Sequence, residues 1–265
     1  MSDEFTLDML DIPSGWRRGE GDWTGVAAAI AKGETVEVIQ EVGSTLWRNS
    51  LPENHSLYWE GENLSTIKAR IWISFTQRRF SLESSLPKVQ WHPRVLWIGI
   101  GCERYTAREL IETAIQNVCR ANHLASSAIA GIATIDTKAG EVGLLELCQE
   151  RNWPLKTFAA DILSSVEVPN PSNIAAKKVG TPSVAEAAAL CAIEEILTAD
   201  EHKETQISIN HQRPSAFICG SHTLLVPKKI FRSQNPPALQ GGVRGGSAVT
   251  VAVAVSPIEY LEYLG

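Results

Sequence analysis

The sequence predicts an α/β protein: a three-layer sandwich with a mostly parallel sheet that ends in an antiparallel hairpin, preceded by a small α/β domain. Three observations predict this class. Val95–Ile100 is a continuous apolar run, typical of a strand covered on both faces. Strand and helix patterns then alternate up to Ala159, which indicates parallel neighbours joined by right-handed crossovers. The final strand-like runs are separated by turn residues, which favours an antiparallel ending.

The small domain is predicted from short strand patterns and one helix. Apolar and polar residues alternate in Thr35–Gln40 and Lys68–Phe75, the period of a half-buried strand. Gly21–Ala31, before both of these strands, predicts a helix, with Asp22 or Thr24 as its cap. These elements together form a small α/β unit.

The domain boundary is placed near residue 92. Ser81–Pro93 contains two prolines and three serines, which interrupt the periodicity and favour a change of domain. The prediction is a small α/β domain over residues 1–92 and a larger domain over residues 93–265.

The larger domain is predicted to start with two consecutive strand–helix–strand units. After the strand at residue 95, the patterns predict a helix, a strand, a helix and a third strand. Their ranges are Thr106–Asn122, Ile129–Ile135, Val142–Gln149 and Leu155–Ala159.

A further helix and the closing strands follow. Ser183–Leu197 predicts a helix, and Ser183 and Glu186 have the spacing of a capping box. Gly220-Ser221 suits a hairpin turn, whereas Ser233–Ser247 is a loop of the length found in lids or disordered excursions. The closing strands are predicted at Ala216–Cys219, Thr223–Val226 and Ala248–Val255.

Composition and charge exclude several classes of function. A net charge of −6 and a pI near 5.6 argue against nucleic-acid binding, which needs a surplus of Lys and Arg. The acidic start has no signal-peptide pattern, and no apolar stretch reaches the roughly 18 residues that cross a bilayer. We therefore expect a cytoplasmic protein that does not bind membranes. Its five cysteines are not spaced as zinc ligands are, so we expect them to be buried free thiols. Cys102 is the exception, because it lies in the first candidate site described below.

The first candidate site is the turn after the strand at residue 95. Gly99, Gly101, Cys102, Glu103 and Arg104 lie where ligands collect at the carboxyl edge of a parallel sheet. Arginine stands where a dinucleotide fingerprint needs its third glycine, which argues against nicotinamide binding. The two glycines suit close packing of a helix on the strand and binding of a ligand equally well. Arg104 favours binding of a ligand, because a turn does not need an arginine.

Two other segments carry candidate binding groups. Asp136 and Lys138 end the next strand at the same edge, and they are either a general base with an anion clamp or a helix cap with an exposed partner. Gly180, Thr181 and Ser183 start a helix whose end could grip a carboxylate or simply form a capping box. Hydrolase and phosphate-loop motifs are absent from the sequence.

Five sequence runs, in one order, resemble the C-terminal domain of the CbiG family of cobalamin biosynthesis proteins and its stand-alone relative CobE. Residues around Gly33–Val42 are similar to the middle region of CbiG. The five runs are Gly99–Cys102, Ala133–Lys138, Glu167–Ser172, Val179–Ala189 and Val226–Lys228.

The resemblance implies a substrate and a reaction. CbiG opens the ring-A lactone of cobalt-precorrin-5A, and a two-carbon fragment leaves as acetaldehyde. Asp136 or Glu103 would then activate water. Arg104, Lys138 and the Thr181–Ser183 helix end would hold substrate carboxylates, with Lys228 as a further binding residue. The ligand is a precorrin or its cobalt form, and the chain needs no cofactor or metal of its own.

Three departures from the family pattern keep alternatives open. Nothing here matches the Ser-Gly-His stretch of the N-terminal CbiG domain, the family's glycine after the basic pair is Tyr105, and residues 233–247 form an insert. The chain is therefore a hydrolase, a CobE-like module that binds or carries a corrinoid, or part of a fused protein with a methyltransferase. Other corrin-pathway enzymes such as methyltransferases are its expected protein partners.

Overall fold

The computed structural model describes residues 16–61, 66–81, 85–172, 180–193, 224–233 and 248–260. These residues form two compact units. The first contains the described residues up to Val95, together with His123–Ala128 and those from Pro257 onward, and the second contains the remainder.

The first unit is a five-stranded sheet with one helix. The strand order is β1-β5-β4-β2-β3, and only β1 is antiparallel to its neighbour. A short 3-10 helix at Leu46–Ser50 precedes β3. The elements are β1 (Arg17–Gly21), α1 (Trp23–Ala31), β2 (Val36–Gln40), β3 (Leu57–Trp59), β4 (Ala69–Ile73) and β5 (Lys88–His92).

Helix α1 begins where a side chain can satisfy its free N–H groups. The N-cap is Asp22, whose Oδ1 accepts a hydrogen bond from the Gly25 N–H at 2.8 Å. Of the two predicted caps, Asp22 is therefore the one used. The helix packs through Val26 and Ala29 on the core beneath the sheet.

The interpretation of residues 81–93 as a break in regular structure is wrong for its second half. Lys88–His92 forms β5, an interior strand of the first sheet. Its buried residues include Gln90, whose side-chain amide bonds both the N–H and the carbonyl of Arg78. Burial of this amide costs little free energy, because both of its polar groups are hydrogen-bonded. A polar residue at a buried position nevertheless interrupts the apolar pattern by which a strand is recognised in the sequence.

Two segments that follow Val95 in the sequence complete the first unit. The Gln77 N–H donates to His123 O at 2.7 Å, and the Ala125 N–H donates to Phe75 O at 2.8 Å. Past Ser256, the Tyr260 N–H donates to Arg94 O at 2.9 Å. The division into domains 1–92 and 93–265 stays a prediction, since these compact units are not two continuous stretches.

The second unit is built on a sheet with the order β8-β7-β6-β10-β9. Strands β6, β7 and β8 are parallel, whereas β10 is antiparallel to both β6 and β9. The helix α5 covers residues 184–193. The other elements are β6 (Leu96–Cys102), α2 (Arg108–Ala121), β7 (Ile129–Ile135), α3 (Val142–Arg151), β8 (Leu155–Phe158), α4 (Ala160–Ser165), β9 (Leu224–Arg232) and β10 (Ala248–Val255).

Helices cover both faces of this sheet. Helices α2 and α3, which connect β6 to β7 and β7 to β8, pack together, as expected when two right-handed crossovers share one face. Helix α5 lies on the other face, because Gly99 of β6 meets the backbone of Ala185. All seven residues of β7 are buried, as expected for a central strand. The predicted fold class, including the antiparallel hairpin of β9 and β10, is confirmed.

Some predicted elements lie outside the described residues. They are the end of the predicted helix beyond residue 193, the strand at 216–219, the turn at 220–221 and most of the loop at 233–247. The strand predicted at Thr223–Val226 is longer in the structure, where β9 continues through Pro227 to Arg232. Proline is tolerated there because β9 is an edge strand.

Candidate functional site

The ends of β6 and β7 bring the first two predicted motifs to one edge of the second sheet. The strands are parallel, with Gly99 opposite Ala133, so their following loops leave from the same edge. The Thr134 hydroxyl donates to Ile100 O at 2.7 Å and ties the two ends together. We call residues 102–105, residues 136–138 and Glu141 the carboxyl-edge site.

Glu141 connects the two loops of the carboxyl-edge site. Its Oε2 accepts the Tyr105 N–H at 2.9 Å, and its Oε1 lies 2.8 Å from the Lys138 ammonium. The Lys138 and Glu141 side chains are only 12% and 13% exposed. Lys138 is therefore engaged in a partly buried ion pair that holds the loops together. The sequence reasoning overlooked Glu141, although its spacing three residues after Lys138 is a known ion-pair signal.

Three charged residues of the site are exposed. They are Glu103, Arg104 and Asp136. Asp136 Oδ1 accepts the Thr137 N–H at 2.6 Å, which fixes the carboxylate at the end of β7. Within the described ranges, the Arg104 side chain makes no hydrogen bond or ion pair, so its guanidinium is available to a ligand.

Cys102 is a partly buried member of the carboxyl-edge site. Burial raises the pKa of its thiol from 9.0 to about 11, and the nearby Lys138 charge offsets this only in part. The thiol is thus protonated at neutral pH and is a poor nucleophile. Covalent chemistry at Cys102 is therefore disfavoured.

Tyr105 has an unusual backbone conformation. Its φ is +58°, in the left-handed region, where a residue with a Cβ is strained by about 1 kcal/mol. The side chain is 64% exposed, so packing does not offset this cost. Glycine would adopt the same conformation without the penalty.

The glycines of β6 allow α5 to approach the sheet. A Cβ on Gly99 would lie 1.8 Å from Ala185 O, and a Cβ on Gly101 would lie 2.5 Å from the Thr250 hydroxyl. The latter Cβ would also come within 3.6 Å of Val184 Cβ. The glycines therefore have a packing role, which sets the first turn of α5 against the end of β6.

The predicted capping box at the start of α5 is not formed. The Ser183 hydroxyl has no hydrogen-bond partner among the described residues, and neither has the Thr181 hydroxyl. Both residues are buried, as is Glu186. The capping-box prediction was wrong because the buried Glu186 carboxylate accepts hydrogen bonds from Asn170 and Lys228 instead. Gly180 is exposed, with φ +76°.

Glu186 instead accepts a hydrogen bond from the backbone of β9, at a point where the register of that strand is irregular. Its Oε1 accepts the Lys228 N–H at 3.1 Å and the Asn170 side-chain amide at 2.9 Å. The register of β9 shifts between Val226 and Lys229, which takes the Lys228 N–H out of the ladder with β10. The Lys228 ammonium bonds Asn170 O. Lys228 thus belongs to this cluster, two strands from β6, and its groups are engaged within the protein.

Truncating Glu186 should therefore destabilise the second unit. We expect Glu186→Ala to lower the free energy of unfolding by about 2 kcal/mol, because it removes the buried carboxylate that accepts the partly buried Lys228 N–H. Glu186→Gln retains an acceptor and should cost about half as much. Urea denaturation measures both.

The matched control is Glu146→Ala, which removes an exposed carboxylate from α3 and should change stability by less than about 0.5 kcal/mol. Equal stability of Glu186→Ala and Glu146→Ala would show that the acceptor is dispensable.

The described ranges hold neither a membrane-spanning helix nor a candidate metal cluster. None of the helices in these ranges is both long and apolar enough to cross a bilayer. The same residues contain no cluster of three or more His, Cys, Asp or Glu side chains suited to a metal ion.

Fold and site together define an α/β protein with charged loops at the carboxyl edge of a mostly parallel sheet. Comparison with known families extends this description. Residues 96–254 match the family Cobalamin synthesis G C-terminus, and residues 5–93 match the Cobalamin biosynthesis central region. The chain belongs to the cobalamin synthesis G family, which confirms the resemblance found in the sequence.

Two curated proteins are similar to this chain. One is the cobalt-precorrin-5A hydrolase of Priestia megaterium, 28% identical over 66% of this chain and 48% of the relative. The other is the cobalt-precorrin-5A hydrolase of Salmonella typhimurium, 29% identical over 65% of this chain and 48% of the relative. The chain thus spans about half the length of the curated relatives it matches.

A solved structure with some likeness is that of CobE, a protein from the cobalamin (vitamin B12) biosynthetic pathway. It is 24% identical, with a TM-score of 0.42, over 60% of this chain and 92% of CobE.

Proposed function

We propose that this chain binds cobalt-precorrin-5A, or the metal-free precorrin, at the carboxyl-edge site and hydrolyses its ring-A lactone with release of acetaldehyde. The observation that carries the proposal is Arg104: an exposed guanidinium, without a partner among the described residues, at the carboxyl end of β6. Arginine pairs with carboxylates through two parallel hydrogen bonds, and corrin precursors carry many carboxylates. The family match supports this class of substrate.

Asp136 is the proposed general base. Its Oδ1 is held by the Thr137 N–H, and Oδ2 has no partner in the described residues, so it can take a proton from water. The water oxygen then bonds to the lactone carbonyl carbon, the ring C–O bond breaks, and the departing oxygen takes a proton. The resulting alcohol loses acetaldehyde when its C–C bond breaks and the ring carbon is protonated. Glu103, also exposed, is the second candidate for the base.

The other sequence-predicted groups have binding or supporting roles in this proposal. Lys138 supports the site through Glu141, while Gly99 and Gly101 place the first turn of α5 beside it. Gly180 is the exposed residue before that turn, where the free N–H groups of α5 would attract a substrate carboxylate. The chain uses no cofactor of its own, and cobalt, where present, enters with the substrate.

A second candidate function is a binding module that holds or passes on a corrinoid, for example to a methyltransferase of the same pathway. Two observations favour it. Lys138 and Lys228 are engaged with protein partners, and Cys102 is protonated, so few groups are ready for catalysis. The chain also spans only half of the curated hydrolases.

An anaerobic titration with cobalt-precorrin-5A tests both functions. The corrinoid spectrum reports binding, and acetaldehyde is assayed in the same samples, with metal-free precorrin-5A in parallel. Acetaldehyde release supports the hydrolase, and a spectral shift without acetaldehyde selects the binding module. The absence of both signals contradicts both functions.

Arg104→Ala identifies the binding edge in the same titration. It should weaken binding about tenfold or more, because it removes a charge-assisted contact to a carboxylate. Arg120→Ala, an exposed arginine in the last turn of α2, is the control and should bind as the wild type does.

A further inference from the structure

We propose that Tyr105 is a stacking residue, whose ring lies against the conjugated face of the macrocycle and selects for a flat tetrapyrrole ligand. This inference rests on the proposed function, which places a corrin precursor at the carboxyl-edge site. Tyr105 would provide the apolar contact to the ligand, and Arg104 would provide the polar contact.

The backbone of Tyr105 is the first support. A tyrosine at φ +58° is strained, and strained residues concentrate at functional sites, where the surrounding structure holds them in place. The ring is 64% exposed, so it contributes little to the core. A turn that served only to connect β6 to α2 would be better made with glycine.

The rigidity of the loop is the second support. The Tyr105 N–H is bonded to Glu141, and Glu141 is bonded to Lys138. On either side, the Glu103 N–H donates to Ala248 O at 3.3 Å and the Thr106 hydroxyl donates to Glu103 O at 2.8 Å. The backbone is thus fixed before a ligand arrives, and a tyrosine ring loses little further conformational freedom when it stacks.

The chemistry of the neighbours defines the ligand. An exposed aromatic ring attracts another conjugated plane through offset stacking. The adjacent Arg104 attracts carboxylates, as it is an exposed cation without a partner among the described residues. A conjugated ring system with carboxylates at its rim satisfies both residues at once, which is the composition of a tetrapyrrole precursor.

Two substitutions test the role of the ring. Tyr105→Phe keeps the ring and should bind cobalt-precorrin-5A within about twofold of the wild type. Tyr105→Gly removes the ring and the backbone strain together, so we expect binding about tenfold weaker with a chain at least as stable to urea. The Kd comes from the anaerobic absorption titration, and Tyr58→Ala, on β3 of the first unit, is the control.

The outcomes separate this inference from the proposed function. Wild-type affinity in Tyr105→Gly overturns the stacking role alone. No binding by the wild-type chain overturns the proposed function and the stacking role with it. Weak binding by Tyr105→Gly together with loss of stability overturns the stacking role too, because the residue would then act through the fold.

Discussion

Replacing Asp136 by asparagine is expected to lower the rate of acetaldehyde release by roughly 100-fold to 10,000-fold, the usual contribution of a general base. Asparagine has nearly the same size, and its side-chain oxygen can still accept the Thr137 N–H. The substitution therefore removes the basic oxygen and keeps the loop. Single-turnover assays with cobalt-precorrin-5A measure the rate, and the absorption titration should give a Kd within about threefold of the wild type.

Asp161→Asn is a matched control for this substitution. Asp161 is also exposed, and its Oδ1 also accepts the N–H of the following residue, at 2.9 Å from Ile162. It lies in the first turn of α4, outside the carboxyl-edge site, so the variant should turn over as the wild type does. Wild-type turnover by Asp136→Asn would refute the role of Asp136, and a loss in Glu103→Gln instead would transfer that role to Glu103.

Gly99→Ala is expected to lower the free energy of unfolding by about 3 kcal/mol or more. The added Cβ would lie 1.8 Å from Ala185 O, and this oxygen belongs to the backbone of α5 and cannot rotate away. Either α5 or β6 must move, and overpacking of a buried interface costs at least this order of energy. Urea denaturation followed by circular dichroism measures the loss.

Two other glycines provide a graded comparison. At Gly101 the contact is the Thr250 hydroxyl, which can rotate, so alanine there should cost about 1 kcal/mol. At Gly140 nothing lies within 4 Å of the added Cβ, so alanine should change stability by less than about 0.5 kcal/mol. Equal stability of all three variants would show that α5 does not need its close approach to β6.

The second sheet could be predicted because its strands are uniform. The largely apolar and buried β6 and β7 are recognisable without knowledge of their neighbours, and the apolar face of α2 has a clear helical period. By contrast, β1 reads Arg-Arg-Gly-Glu-Gly and is a strand only because it pairs with β5. Strands stabilised by a partner far away in sequence leave no local signal.

The site was predicted in position but not in its internal contacts. That Asp136 and Arg104 share a sheet edge follows from two parallel strands in sequence order. Which carboxylate Lys138 binds, or that Glu186 turns toward β9, depends on the orientation of side chains across elements. The capping-box spacing of Ser183 and Glu186 was present, yet tertiary contacts decided the hydrogen bonds.

The return of the chain from β10 to the first unit has a consequence for biosynthesis. The Gly43 N–H donates to Pro257 O at 3.1 Å, and the Ser44 N–H donates to the Glu259 carboxylate at 2.6 Å. These acceptors are synthesised after every strand of the second unit. On the ribosome, Gly43 and Ser44 of the first unit therefore lack these acceptors until the strands of the second unit have been synthesised, against the usual N-terminal-first order of co-translational folding.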